Sequence, residues 1–299
     1  MRIRHLRYFL VVAEELNFSR AAERVHIEPS PLSRAMRDLE VELGVHLFQR
    51  TRGRIRLTWA GEVFREEAHR MLTFMDGART RVRAAASGYR GRLRIGLTDS
   101  LAQPRLIRLL ALCREKAPLT EVQIVEMTVS EMVKALGHGQ IDAGFTVHAG
   151  LNEGFIKEVV WTDRPAIAIP KNHPLLSRDK IPLTELALHS LILCHPELCS
   201  GGYDVIRRWF GEHPLPLPSI SQYVSGHEPM MMLVAAGYGI GVGLESQITL
   251  YNHPEVIIRP VTNDAPSVAT FITMLDQPPS EELSQFIARA QQVGSTATI

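Results

Sequence analysis

Along the first third of the chain, apolar residues recur at helical spacing, and then the period changes. Leu6, Phe9, Leu10 and Ala13 share one face, which predicts a helix over residues 4–15. Ala21, Ala22 and Val25 mark the inward face of a second helix, with Ser19 as its expected cap and Phe18 as a hydrophobic staple before it. The small Ala21-Ala22 pair lets another helix cross closely. A third helix is expected from Ser30 at the cap and Pro31 at the first position, where a missing N–H costs nothing. Leu32, Met36, Leu39 and Leu43 follow at spacings of four, three and four, and Gly44 supplies the stop. The stretch LFQRTRGRIRLT, residues 47–58, then alternates as Arg54-Ile55-Arg56-Leu57 and reads as a hairpin with one apolar and one basic face. From Thr58 on, Phe64, Ala68, Met71, Met75, Ala78, Val82 and Ala85 keep a four-three heptad spacing. That spacing predicts a long helix whose seam meets a partner helix, the alternative being an amphipathic helix resting on its own domain.

Beyond residue 90 the rhythm becomes strand, helix, strand. Residues 92–97 read as a strand, 104–116 as a helix, 121–127 as a strand, EMVKALGHG as a helix after Ser130, and 141–147 as a third strand. This order argues for a mostly parallel sheet with helices on both faces. A second unit of the same type runs from about Arg164 to Pro260. Residues 268–275 return to the first as a strand, and a last helix covers 281–291. Two lobes joined by a double crossover leave a cleft between them. The expected division is 1–60, 61–89 and 90–299, with lobe I at about 90–161 and 265–299 and lobe II at about 162–264.

Charge separates the two halves. Residues 1–94 carry 19 Arg or Lys against 11 Asp or Glu, while residues 95–299 carry 14 against 21. A basic first part suits a polyanion and an acidic remainder does not. The third helix keeps Ser33, Arg34 and Arg37 off its apolar stripe. Helix N-terminal N–H groups with Ser30 and Ser33 can hold phosphates, and Arg34 and Arg37 can reach phosphates or guanine edges. Arg50, Arg52, Arg54 and Arg56 are too many charges for a hairpin that only covers a core. As a wing they would follow a phosphate backbone, which makes the module a winged helix-turn-helix. Two-fold pairing through the long helix would place two recognition helices on a palindromic site.

These stretches resemble the LysR-type transcriptional regulators. LRYFLVVAEELNFSRAAERVHI, PLSRAMRDLEVELGVHLFQRT and RLTWAGEVF carry the likeness, which extends over essentially the whole chain. It implies DNA binding through the third helix and wing, a linker helix that pairs two chains, and commonly a dimer of dimers. It also implies a periplasmic-binding-protein-like effector domain that senses a small molecule. Ser33 and Arg34 match family residues that touch DNA, and Arg50 and Arg52 align with the basic entry to the wing. Pro29 and Ala35 stand where the family often has glutamines that help with base or backbone contacts, so the operator preference is not carried over. Glu245 stands where relatives often have a proline.

Ligands in open α/β sheets sit at the carboxyl ends of strands, where Thr98, Ser100 and Ser130 lie beside helix N-termini. Such hydroxyls can seat a small anion, or can merely cap their own helices. The resemblance supports the first role, because family effector pockets use these positions. Thr146, His148, His195 and His227 complete the candidate rim, and each histidine either answers an acidic effector or is a hydrogen-bonded surface residue. The run Gly237-Tyr238-Gly239-Ile240-Gly241-Val242-Gly243 follows a helix rather than a first strand, which argues against a dinucleotide loop.

The remaining function classes fit less well. Cys113, Cys194 and Cys199 make no disulfide framework, and the last two read as ordinary thiols rather than a redox pair. No metal-ligand spacing and no nucleophile elbow stands out, so neither an enzyme nor a cofactor is expected. A transport-type solute-binding protein would account for residues 92–299 alone, without the basic module. With no cleavable signal and no membrane span in the sequence, the expected setting is the cytoplasm. The expected partners are promoter DNA, further copies of the chain, and RNA polymerase if the protein activates.

Overall fold

The computed structural model describes every residue except 52–53, 87, 89–90, 100–103, 151–153, 213–217, 263–264 and 296–299. The chain divides into two compact units, Met1–Arg83 with Gly137–Gln140, and Ala84–Leu136 with Ile141–Ile299. The first unit contains α1 (Ile3–Glu15), α2 (Phe18–Arg24) and α3 (Pro29–Leu43), then the wing strands β1 (Phe48–Thr51) and β2 (Arg54–Leu57). The long helix α4 (Trp59–Ala86) follows. Its core is built around Phe9, whose ring centroid lies 5.4 Å from Phe48 and 4.8 Å from Phe64. One aromatic side chain of α1 therefore packs against both the wing and α4.

Helix starts and seams differ in detail from the expected ones. Asn17 rather than Ser19 caps α2, accepting hydrogen bonds from the N–H groups of Ser19 and Arg20 at 2.9 and 3.2 Å. Phe18 is consequently the first helical residue and not a staple outside it. Helix α3 begins at Pro29, with Glu28 at the cap and no side-chain cap bond. Pro29 and Pro31 both fall in the first turn, where an amide has no intrahelical partner, so neither ring breaks the helix. Leu32, Met36 and Leu39 are buried, whereas Leu43 at the end of the stripe is 37% exposed. On α4, Phe64 and Ala68 belong to the core of their own unit, while Met71, Phe74 and Val82 are exposed. The first part of the heptad seam thus serves intramolecular packing.

The second unit holds two five-stranded sheets. Its elements in order are β3 (Gly91–Leu97), α5 (Pro104–Lys116), β4 (Thr120–Glu126), α6 (Val129–Gly137), β5 (Ala143–Thr146), β6 (Phe155–Asp163) and β7 (Pro165–Pro170). There follow α7 (Leu183–Leu186), β8 (Leu191–Cys194), α8 (Ser200–Gly211), β9 (Ile220–Val224), α9 (His227–Ala235) and β10 (Ile240–Leu244). The chain ends with α10 (Glu245–Ile248), β11 (Val256–Pro260), β12 (Val268–Leu275) and α11 (Glu281–Ser295). Lobe I has the order β4-β3-β5-β12-β6 and lobe II the order β11-β7-β10-β8-β9. Each sheet is half antiparallel rather than mostly parallel. In lobe I, β12 returns from the other lobe and runs against both β5 and β6, and in lobe II β7 runs against β10 and β11. The core of lobe I stacks Phe145 on Trp161 at 4.8 Å, and the Trp161 indole N–H donates to the Ala290 carbonyl at 3.0 Å. The glycine run closes α9 and opens β10; a Cβ at Gly243 would come within 2.5 Å of the Ile248 side chain. Packing, not a nucleotide, accounts for that residue.

The wing is held to α3 by one carboxylate. Glu40 accepts hydrogen bonds from the N–H groups of Leu47 and Phe48 at 2.7 and 3.1 Å, just before and within β1. Replacing Glu40 with Ala leaves both amides without their charged acceptor, an expected loss of about 2 kcal/mol. Denaturant titration should show it, together with faster amide exchange at Leu47 and Phe48; unchanged exchange would rule this tie out.

Candidate functional site

In the first unit, α3 turns Ser30, Pro31, Arg34 and Arg37 to solvent and leaves Ser33 half-buried. The arginines of α2 are neutralised locally: Arg24 lies 2.7 Å from Glu14 and 3.0 Å from Glu15, and Arg20 lies 3.6 Å from Glu15. Among the described residues, Arg34 and Arg37 form no ion pair, so α3 presents its charge outward. Arg50 and Arg54 lie in the wing strands, opposite Ile55 and Thr51 respectively, and Arg52 falls outside the described residues.

In the second unit, two of the residues expected at the effector site, Thr98 and Thr146, bond an acid of the chain itself. Asp99 follows β3 with a left-handed backbone, φ 56°, and its side chain is buried. Asp is among the few residues that tolerate that region. Its Oδ2 receives the hydroxyls of Thr98 at 2.7 Å and Thr146 at 3.3 Å, both from lobe I. Its Oδ1 receives the N–H groups of Gly201 and Gly202 at 2.9 and 3.2 Å, both from the first turn of α8 in lobe II. Helix α8 has no cap of its own, since Cys199 at the cap position makes no side-chain cap bond. Asp99 therefore caps a helix 102 residues further along the chain, the position a capping carboxylate normally holds from one residue before the helix.

Beside this carboxylate lies a cavity of about 50 Å³, lined by apolar side chains such as Val147, Ile206, Trp209 and Leu244. Its polar groups include Asp99, His227 and Gln247, and no Lys or Arg lines it among the described residues. Burial lowers the pKa of His227 to about 4, so near neutral pH its ring is an uncharged hydrogen-bonding group. Cys194 and Cys199 are unoxidised thiols in contact on the cavity wall, not a disulfide. The hydrogen bond with Cys199 and burial push the Cys194 thiol far above the usual range, which leaves it without thiolate character.

The other expected rim residues are distributed differently. Ser130 is exposed in α6 and does not line this cavity; Thr128 caps that helix through a reciprocal pair with Glu131, at 3.2 Å from the Glu131 N–H and 2.8 Å from the Thr128 N–H. Ser100 falls outside the described residues. His148 lies on a neighbouring hollow, with Nδ1 3.4 Å from Asp204 and Nε2 3.1 Å from the Gly150 carbonyl. His195 accepts from the Glu197 N–H at 3.2 Å and packs against Tyr223, outside the cavity lining. Asp99, Gly201 and Gly202 are absent from the sequence-based candidates. The sequence signal for them is the pair of glycines opening α8, a helix that lacks a capping side chain of its own.

Two family models match the chain in its two parts. Residues 3–62 match the bacterial regulatory helix-turn-helix protein, lysR family, and residues 86–295 match the LysR substrate binding domain. The chain belongs to the LysR family of transcriptional regulators. This LysR-family chain is 34% identical over 243 residues to the uncharacterised regulator YnfL of Escherichia coli, covering 81% of this chain and 82% of that one. It is 28% identical over 292 residues to the Hca operon transcriptional activator HcaR of the same organism, 98% of each. Among solved structures it resembles full-length CbnR in complex with its target DNA, with a TM-score of 0.71 at 24% identity, over 98% of this chain and 100% of that one. Full-length BenM follows at 26% identity and a TM-score of 0.63, over 99% and 97%. LysR-family regulators bind DNA and are not enzymes, and the N-terminal helix-turn-helix, linker helix and two-lobed effector-binding domain are the architecture of the family. Among the described residues, no helix is long and apolar enough to cross a membrane.

Burial of His227 in this LysR-family regulator makes stability depend on pH. Between pH 6.5 and about 4 the unfolded chain takes up a proton that the folded one refuses, so stability falls as the pH falls through that window. The expected loss is about 3 kcal/mol across the window. His227→Gln should flatten the stability–pH curve there relative to the unaltered protein; parallel curves would show that His227 carries no such load.

Proposed function

We propose that this regulator reads a partly palindromic promoter site with the open face of α3 and responds to a small anionic effector held between lobes I and II. The observation that supports DNA recognition is the contrast between the paired arginines of α2 and the unpaired Arg34 and Arg37 of α3. Ser30, Pro31 and Ser33 stand at the N-terminal end of α3, where phosphates are favoured, and Arg50, Arg52 and Arg54 extend the contact along the wing. The exposed Met71, Phe74 and Val82 of α4 supply an apolar stripe for a second copy, and two such dimers assemble as a tetramer on the promoter. The protein works in the cytoplasm, with RNA polymerase as a further partner if it activates. For the effector, support comes from the donor set of Thr98, Thr146 and the α8 amides, which suits a carboxylate, and from the adjoining cavity, which His227 lines.

Selection from random duplexes defines the site, and anisotropy titrations of the full chain at several salt concentrations test the contacts. Arg34→Ala and Arg37→Ala should each weaken binding by about 1–3 kcal/mol where the side chain reads a guanine. Where it neutralises a phosphate, the salt slope should shrink by about 0.9 per contact. Unchanged affinity and slope in both variants would sink the recognition-helix reading. The effector is sought by thermal shift of the full chain against carboxylates larger than formate, whose remaining atoms add contacts in the cavity, a rise in Tm being the expected response.

A further inference from the structure

We propose that Asp99 is an intramolecular occupant of the anion seat, a latch that holds lobe II against lobe I when no ligand is present. The inference builds on the reading of the cleft as the regulated site and adds what competes with a ligand there. Three independent features carry it. The two carboxylate oxygens are divided between the lobes, Oδ2 taking hydroxyls from lobe I and Oδ1 taking amides from lobe II, so separating the lobes breaks the bonds to one oxygen. The backbone of Asp99 stands at φ 56°, in the left-handed region that few residues other than glycine adopt. The approach of α8 is also sterically specialised: a Cβ at Gly201 would lie 2.7 Å from Asp99 Oδ2 and 2.8 Å from the His148 amide nitrogen. Only glycine lets the helix N-terminus come this close.

The latch constrains any ligand. A second anion cannot join Asp99 in the seat, because like charges at hydrogen-bonding distance disfavour one another and no Lys or Arg lines the cavity among the described residues. A ligand carboxylate must therefore exchange with the Asp99 side chain, which turns out of the seat as the ligand takes over its donors. Effector affinity is reduced by the fraction of molecules in which Asp99 is home. Exchange also replaces a tethered carboxylate by a free one, so the lobe contact comes to depend on ligand concentration.

The test uses the full-length protein and formate as the probe, at constant ionic strength against chloride. Asp99→Ala empties the seat and is expected to lower Tm by about 5 °C, formate then restoring much of the loss in a saturable way. Asp99→Asn keeps the seat filled by an amide of the same shape, and neither it nor the unaltered protein should respond to formate. A folded Asp99→Ala variant that gains no more from formate than the unaltered protein does would overturn the latch. If that variant does not fold, Gly201→Ala drives the carboxylate out from the opposite side. Limited proteolysis of its second unit should then speed up by about tenfold, and an unchanged rate overturns the proposal. Formate rescue without any response of the unaltered protein to carboxylates larger than formate upholds the latch while removing support for an anionic effector, so the two failures are distinguishable.

Discussion

A buried carboxylate must be given donors, and here no single part of the effector domain has enough of them. Lobe I offers two threonine hydroxyls to Asp99, and lobe II offers two amides from an uncapped helix. Either set alone leaves polar groups unsatisfied away from water, at a few kcal/mol each in order of magnitude. Satisfying both requires the lobes to meet. The small apolar cavity beside this carboxylate has walls from both lobes, Val147 and Val268 from the first and Gly202, Trp209 and His227 from the second.

The first unit solves a different electrostatic problem. It carries an excess of basic groups, yet the groups are not equivalent. Those on α2 are spent on Glu14 and Glu15, which fasten α2 to α1, and those on α3 remain outward. Net charge alone therefore overstates the charge available to a polyanion. What matters is the share left after intramolecular pairing, and Arg34 and Arg37, on the helix with the proline-marked start, belong to that share.

Much of the fold is legible in the chain because periodicity reports burial. The return strand β12 and the long α4 follow directly from spacing, and Leu32, Met36 and Leu39 give the inner face of α3. Spacing cannot say which surface a stripe meets, so the seam of α4 divides between its own core and solvent at a point that only packing reveals. Cap positions shift by a residue or two: Asn17 takes the amides of Ser19 and Arg20, which starts α2 ahead of Ser19. The Thr128-x-x-Glu131 box, readable in the chain, already accounts for the N-terminus near Ser130. Asp99 was beyond reach for a topological reason. Beside Thr98 it looks like a loop acid, and nothing local shows that a helix a hundred residues later lacks its cap.

The aromatic contact between Phe9 and Phe64 has a mechanical side. It ties the start of α4 into the same core that holds Leu32, Met36 and Leu39 of α3. In the proposed pairing of two copies along α4, the helices would act as the arms of a calliper. A small change in the angle at which the arms cross is then read at their tips as a change in the spacing of two recognition helices, and DNA with its fixed helical repeat accepts only some of those spacings.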